Sequence, residues 1–169
     1  KVNSALSRRG DSVKKLDNDA FVNMRSGASV LEADSYGDKV LLLADGTIVK
    51  LFRRKRWLSS AAWYPYAKRF ADNAASLHRL GIRVPEVLDL FRIPSIERDA
   101  VRYQPLPGRT LREIRREPLD AGIEQELKEA FTRFVVSLHD NGVYFRSLHL
   151  GNVVYTPDHE FGLIDISDA

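Results

Sequence analysis

The sequence predicts an α+β fold, with a small β-rich lobe followed by the beginning of a mainly helical lobe. Short apolar runs between residues 29 and 103 are bounded by glycine and aspartate turns, which is typical of strands. One helical period interrupts them at 65–80, and a longer one follows at 120–141. Strands grouped ahead of most of the helix are characteristic of α+β proteins.

Composition narrows the class of protein. Hydrophobic residues make up 44% of the 169 positions, which is enough for a packed core, and the net charge is only +3, so basic groups matter through clustering. The absence of cysteine excludes disulfides and thiolate metal sites and suits a reducing cytoplasm. No apolar run approaches the ~18 residues of a membrane span, and no secretory signal is recognisable. We therefore expect a cytoplasmic protein without a transmembrane segment.

The β-rich lobe is predicted to cover residues 28–103. Residues 1–20 are polar and keep no regular period, so a flexible N-terminal arm is predicted over 1–27. Turns around Gly37 and at Asp45-Gly46 join the first three strands into a meander. The five predicted strands are 30–33, 39–43, 47–52, 87–91 and 100–103.

The first predicted helix follows the third strand. Pro65 suits its first turn and Gly81 ends it. Its apolar residues recur every three to four positions, at Tyr66, Phe70, Ala74, Leu77 and Leu80.

The helical lobe is predicted to begin after a rigid hinge at 104–108, which contains two prolines and a glycine. Thr110 is placed to cap a short helix that reaches residue 116. A long helix then covers 120–141 and ends at Asn141-Gly142. One face of it is apolar, with Ile123, Leu127, Phe131, Phe134, Val135 and Leu138.

The last segment carries the candidate chemistry. Two short strands, 153–156 and 161–164, flank a turn at Pro157-Asp158 and form a predicted hairpin. This hairpin would hold Asn152 and Asp165 side by side at one end. An amide oxygen and a carboxylate are ligands of hard cations, so the pattern predicts a magnesium site of the kind that holds nucleotide phosphates.

The order of these elements resembles the protein-kinase-like fold. Several short sequence segments are similar to those of the lipopolysaccharide-core kinases, the family of Kdo and heptose kinases. Within that family, the similarity is greatest to the short proteins labelled toluene tolerance. The resemblance covers about residues 28–169, so residues 109–169 would be the first part of a kinase-like second lobe, cut after the metal-binding Asp. The segments that carry it are Gly81-Ile82-Arg83-Val84-Pro85-Glu86, Tyr103-Gln104-Pro105-Leu106-Pro107-Gly108-Arg109-Thr110-Leu111, Leu138-His139-Asp140-Asn141-Gly142-Val143-Tyr144 and Leu148-His149-Leu150-Gly151-Asn152-Val153.

This resemblance implies ATP and Mg²⁺ as cofactors and assigns residues to them. Lys50 stands where the third-strand lysine pairs with nucleotide phosphates, and Gly37 stands in the turn that covers them. Tyr103 and Gln104 stand at the hinge that would hydrogen-bond an adenine. Asn152 and Asp165 match the two metal ligands. A surface lysine, an ordinary hairpin and two turn or cap residues are the structural alternatives.

Two departures from the kinase pattern bear on activity. The catalytic loop has Phe145-Arg146-Ser147, so Ser147, next to Arg146, occupies the place of the Asp that accepts a proton. Phe70 falls where a helix glutamate usually braces the strand lysine, and Asp72 lies two residues further on. His149 and Asp168 are the other candidate bases.

Two functions remain open for the kinase-like core. The first is an ATP-dependent transferase that phosphorylates a sugar hydroxyl of the lipopolysaccharide core in spite of the degenerate loop. The second is a pseudokinase that acts as a binding or regulatory module at the membrane surface without phosphotransfer.

A basic cluster at Arg53, Arg54, Lys55 and Arg56 suggests a third role, which is compatible with both. Lipopolysaccharide core or anionic lipid would bind these cations, and the nearby aromatic residues Trp57, Trp63, Tyr64 and Tyr66 suit a membrane interface. We then expect a membrane-associated protein, peripheral at the inner membrane. The alternative is a solvated basic face above core aromatics. No motif supports a nucleic-acid partner.

Overall fold

A six-stranded sheet forms the first of two units in the computed structural model, which describes residues 12–54 and 64–168. The strand order is β1-β5-β6-β4-β3-β2, and every pair is antiparallel except β1 with β5. The strands are β1 Val13–Lys15, β2 Ser29–Asp34, β3 Gly37–Leu42, β4 Ile48–Arg53, β5 Glu86–Ile93 and β6 Arg98–Gln104.

The N-terminal part contains regular structure where a flexible arm was predicted. Strand β1 pairs with β5, and helix α1 (Asn18–Ser26) follows it. Asp17 caps this helix by accepting the Ala20 N–H at 2.8 Å. Phe21 is buried against the sheet. Nonlocal pairing and one buried aromatic therefore order a segment whose local sequence has no clear period.

The core of the first unit lies between α1 and one face of the sheet. Val49 and Leu51 of β4 point toward α1, because alternate residues of a strand face opposite sides. Lys50 and Phe52 consequently lie on the other face. The buried cluster is Phe21, Leu41, Val49, Leu51, Phe91, Ile93 and Ala100.

Helix α2 (Tyr66–Arg79) confirms the first predicted helix. Its buried residues Phe70, Ala74 and Leu77 are those of the apolar period. It ends at Gly81, whose φ of +75° and N–H bond to His78 O form a left-handed helix end. Residues 73–79 of this helix belong to the second unit, which comprises 73–85 and 106–169, so this unit takes part of the predicted β-rich lobe.

The second unit combines a three-stranded sheet with two helices. Its strands are β7 Arg109–Thr110, β8 Val153–Tyr155 and β9 Phe161–Leu163, in the order β7-β8-β9, and its helices are α3 Leu111–Ile114 and α4 Ala121–Asp140. The long helix and the hairpin lie within two residues of their predicted positions.

Helix α3 begins with a capping box. Thr110 Oγ1 accepts the Glu113 N–H, and the Glu113 carboxylate accepts the Thr110 N–H at 2.7 Å. The bond from the Thr110 backbone, followed by that from its hydroxyl, holds the pKa of Glu113 below its ordinary value.

The apolar face of α4 is buried only toward its C-terminal end. Leu138 is fully buried, and the rings of Phe131 and Phe134 lie against Phe161 of β9, with centroids 5.7 and 5.5 Å away. Ile123, near the start of the helix, is 57% exposed. A cavity of about 790 Å³ runs beside this exposed part. Within 12–54 and 64–168, no helix is long and apolar enough to cross a bilayer.

Candidate functional site

The hairpin of β8 and β9 places Asn152 and Asp165 at its open end, as predicted. Val153 pairs with Leu163, and one step further the Ile164 N–H donates to Asn152 O at 2.9 Å. Asn152 therefore directly precedes one strand, and Asp165 directly follows the last bonded residue of the other. We refer to Asn152 and Asp165 as the hairpin corner.

Asn152 is buried, with 7% of its surface exposed. Its Nδ2 donates to Ser147 O at 3.0 Å, and its backbone N–H donates to His149 O at 2.8 Å. No donor among residues 12–54 and 64–168 bonds to Oδ1. A buried acceptor without a donor is uncommon in proteins, and it is the expected state of a side chain whose oxygen serves a cation.

Asp165 has a backbone conformation that few side chains adopt. Its φ is +57°, in the left-handed region, where Asp and Asn occur more often than other non-glycine residues. Such conformations concentrate at functional sites. The next residue is held firmly, because Ile166 is buried and its carbonyl accepts the Asn73 Nδ2–H at 2.7 Å.

The hairpin corner fits a magnesium ion by the chemistry of its donors. Mg²⁺ prefers oxygen ligands and keeps several waters or phosphate oxygens, so one or two protein groups suffice. Among the described residues, no group of three or more His, Cys, Asp or Glu could hold a metal alone. A site of this composition would depend on oxygens supplied by a phosphate ligand.

The loop before the corner presents a hydroxyl and no carboxylate. Ser147 is half-buried and its carbonyl is held by Asn152, whereas Arg146 is exposed. Phe145 is buried and anchors the start of the loop, and its carbonyl accepts the Leu148 N–H at 3.2 Å. The loop is thus positioned by its backbone and by Phe145.

His149 has one ring nitrogen engaged within the loop. Its Nδ1 accepts the Gly151 N–H at 3.1 Å, so the neutral ring carries its proton on Nε2. That tautomer donates a proton at its outer nitrogen. His149 is therefore poorly arranged as the replacement base that the sequence suggested, and the other candidate, Asp168, is exposed in a 3₁₀ turn at 166–168.

Arg112 is a neighbour of this loop that sequence reasoning missed. Its backbone N–H donates to Leu150 O at 2.9 Å, and its Nη2 lies 3.5 Å from His149 Nδ1. Its guanidinium covers Gly151 so closely that a Cβ there would lie 2.8 Å from Arg112 Cζ. The only sequence signal of this close approach is Gly151 itself, the residue before Asn152.

The predicted nucleotide-binding residues lie in the first unit. Lys50, in the middle of β4, is half-buried, and its Nζ lies 5.6 Å from the Phe52 ring centroid. Gly37 begins β3 with a φ of +110°. Tyr103 is half-buried in β6, and Gln104, which is exposed, ends that strand.

The place of the usual helix glutamate is part of the hydrophobic core. Phe70 is fully buried and stacks on Tyr103 with a centroid separation of 5.1 Å. Asp72 is bound to Tyr64 and to Lys68, whose Nζ is 3.0 Å away. An aromatic pair therefore occupies this part of the first unit.

The predicted basic cluster is only partly visible. Arg53 ends β4 and Arg54 follows it, and both are exposed. Lys55, Arg56, Trp57 and Trp63 lie outside the described residues. Tyr66 stacks on Phe52 with centroids 6.1 Å apart, so this aromatic residue is involved in packing.

Comparison with known proteins gives a fold. No protein-family model matches the chain, and no curated protein matches it. Among solved structures, the chain is similar to the bifunctional kinase-methyltransferase WbdD, at a TM-score of 0.52 and 18% identity over 76% of this chain and 29% of that one.

Two further structures of the same protein agree. Monomeric WbdD matches at a TM-score of 0.52 and 18% identity, over 76% of this chain and 32% of that one. WbdD with the kinase inhibitor LY294002 matches at a TM-score of 0.50 and 18% identity, over 76% and 30%. The chain thus spans about a third of the length of these proteins. The chain therefore has a kinase-like fold. Its membership of the lipopolysaccharide-core kinase family, and its similarity to the toluene-tolerance proteins within it, remain predictions.

Proposed function

We propose that this protein binds Mg–ATP through the hairpin corner and is a kinase-like phosphotransferase. The observation that carries the proposal is the buried Asn152, whose Oδ1 has no donor within the described residues, next to Asp165 in a left-handed conformation. The Ile164 N–H donates to Asn152 O, so the residue directly before Asp165 is bonded to Asn152. An amide oxygen and a carboxylate held in this way are suited to a metal that carries nucleotide phosphates.

Four residues of the second unit have distinct parts in this proposal. Mg–ATP, when bound, supplies the transferable phosphoryl group, and its metal ion neutralises part of the phosphate charge. Asp165 supplies a carboxylate and Asn152 an amide oxygen. Ser147 orients the acceptor hydroxyl by hydrogen bonding but cannot take its proton near neutral pH. Arg146, exposed beside it, is available to an anionic acceptor.

Four residues of the first unit are proposed to contact the nucleotide. The resemblance assigns phosphate contact to Lys50 and Gly37, and adenine contact to Tyr103 and Gln104. The half-buried position of Lys50 on the sheet face away from the α1 core supports its assignment.

The proposed acceptor is a sugar hydroxyl of the lipopolysaccharide core, as the resemblance implies. Arg53, Arg54, Lys55 and Arg56 would attract such an anionic substrate or the lipid around it. We accordingly propose a cytoplasmic protein that works at the inner membrane surface, with toluene tolerance as the associated trait.

Thermal unfolding with Mg–ATP tests the nucleotide part. We expect a rise in stability that grows with ligand, about 2.7 kcal/mol at 100 times Kd. The rise should disappear with EDTA and in Asp165→Asn, which keeps the shape but removes the charge. An unchanged melting temperature at millimolar Mg–ATP would sink the proposal.

A pseudokinase is the second candidate, and a specific observation favours it. The loop has a serine in place of the carboxylate, and His149 Nδ1 is engaged by Gly151. Nucleotide binding would then persist without transfer. Stabilisation by Mg–ATP together with no detectable ATP turnover, with or without lipopolysaccharide core sugars, would select this function.

A further inference from the structure

Arg53 and Arg98 form a pair of like charges on the sheet of the first unit. They lie directly opposite each other in the antiparallel register of β4 and β6. Side chains at opposed positions extend to the same face, with Cβ atoms about 4.5–5.5 Å apart, and like charges there are destabilising. A pair of guanidinium groups at such positions requires a compensating interaction.

Arg98 is the more unusual member of the pair because it is buried, with 6% of its surface exposed. Its Nη2 donates to Tyr36 O at 2.7 Å. That carbonyl is neutral, and within 12–54 and 64–168 no carboxylate forms an ion pair with Arg98. A guanidinium has five N–H donors, and buried charges are normally paired. The positive charge of Arg98 therefore lacks a counter-ion in the described protein.

Arg53 is exposed and borders the same turn. Its Cζ lies 3.8 Å from the centroid of the Tyr36 ring, a cation–π contact. The carbonyl of Tyr36 thus bonds to Arg98 while its ring covers Arg53. Tyr36 itself is 65% exposed, so this edge of the pair is open to solvent.

The nearby acidic residues are engaged elsewhere. Asp34 Oδ1 accepts the Tyr36 N–H at 2.8 Å, which shapes the turn. Asp38 binds Arg25 of α1 at 2.6 Å, and Glu32 binds Lys39. Within the described residues, none of these carboxylates forms an ion pair with Arg53 or Arg98.

This pair is on the opposite face of the sheet from Lys50. Arg53 and Arg98 share the face of Leu51 and Ala100, which point toward the α1 core. Lys50, one position out of phase, is on the other face. An anion bound by the pair would therefore be separate from the nucleotide phosphates proposed to contact Lys50.

We propose that Arg53 and Arg98 form an anion site for a phosphate monoester beside the Tyr36 turn. Arg98 supplies the floor and Arg53 the exposed rim. Two planar guanidinium groups match the several oxygens of a phosphate and form short, charge-assisted bonds with it. The phosphate is either that of a small molecule or that of a lipid headgroup. This site does not depend on the proposed kinase function.

Titration of the full chain with inorganic phosphate, without magnesium, tests the site by calorimetry. Loss of one charge-assisted contact corresponds to about ten-fold weaker binding, which we expect for Arg53→Gln. Arg54→Gln is the matched control, since it removes an equal charge from the exposed residue that follows β4, and it should change affinity less than about two-fold.

A second pair of measurements identifies the source of the phosphate. Vesicles with phosphatidic acid carry a phosphate monoester, and vesicles of equal charge with phosphatidylserine do not. Preference for phosphatidic acid indicates a headgroup, and inorganic phosphate binding without that preference indicates a small ligand. Both support the site.

Two results would overturn the proposal. Equal losses in Arg53→Gln and Arg54→Gln would mean a diffuse basic surface. No phosphate binding at millimolar concentration and no preference among vesicles would mean that Arg98 only holds the Tyr36 carbonyl. Arg98→Lys keeps the charge but loses the planar fork, so it should also weaken binding; if it fails to fold, the Arg53 and Arg54 variants still decide.

Discussion

The hairpin corner and the loop at Ser147 lie in one short segment, yet they differ in what they offer chemically. The corner has a buried amide, whose residue is fixed through backbone bonds, and a carboxylate on a residue in the left-handed conformation. The loop has a half-buried hydroxyl whose neighbouring carbonyl is held by Asn152 at 3.0 Å. Asn152 and the buried Phe145 therefore both position the loop, and neither contact involves the side chain of Ser147. This segment therefore contains the two residues proposed to hold a metal, whereas position 147 carries no carboxylate.

The largest expected effect comes from supplying that acceptor. Ser147→Asp places a carboxylate on a backbone that is already positioned, and general-base contributions are worth about 10²–10⁴ in rate. We expect ATP turnover to rise within that range at unchanged Mg–ATP affinity. Ser147→Asn is the control, because it has the same shape without the charge. Equal turnover in both variants would break the comparison.

Two glycines beside the corner should differ in what they tolerate. A Cβ at Gly162 of β9 would lie 2.8 Å from the Arg83 carbonyl oxygen and 2.6 Å from Leu106 Cδ1. Gly162→Ala should therefore destabilise the protein by about 1–3 kcal/mol, measured by urea unfolding. Gly151→Ala meets only the mobile tip of Arg112, so we expect a cost below about 1 kcal/mol. The reverse order would contradict the close backbone packing of the hairpin.

Asn152 links the corner to the loop, and its replacement should lower the free energy of unfolding by less than Gly162→Ala does. Asn152→Ala removes the bond to Ser147 O, which is worth about 1 kcal/mol in unfolding free energy. Asn152→Asp keeps an oxygen for the metal but also loses the donor. Both variants should be destabilised, whereas only the Asp variant should retain stabilisation by Mg–ATP. Full stability in either would separate the corner from the loop.

The smallest expected effect concerns α3, whose Arg112 supports the loop. The pKa of Glu113 is held below its ordinary value of 4.5 by the Thr110 N–H. The folded state therefore gains from the charged form above that value, and the gain is lost as the pH falls through the lowered pKa. Glu113→Gln should flatten this acid dependence and cost at most about 0.5 kcal/mol at neutral pH. If Glu113→Gln leaves the pH profile of the melting temperature unaltered, the ionised Glu113 does not contribute to stability in this way.

Much of the fold could be predicted because its signals are local. The period of Phe70, Ala74 and Leu77 marks one helix, and Asp120 and Asn141 flank another whose bounds are Ala121–Asp140. The hairpin at the corner follows from two apolar runs around a turn. These features depend on neighbours within a few residues, where propensity and period are informative.

Other features escaped prediction because they depend on partners far along the chain. Strand β1 exists through pairing with β5, about 77 residues away, as Val13 pairs with Leu90. The exposed Ile123 shows that an apolar period alone does not say which part of a helix is covered. Arg112 reaches the loop through a contact with Leu150 that no spacing rule predicts.

The sequence by itself determined the α+β order, the hairpin with Asn152 and Asp165 at its end, and the missing carboxylate at Ser147. Only the tertiary structure decided that Asn152 is buried with its amide holding the loop, that His149 Nδ1 is engaged, and that Arg53 lies opposite Arg98. The physical reason is that residue type and local period are properties of short segments. Burial, hydrogen-bond partners and strand register arise only when distant segments meet.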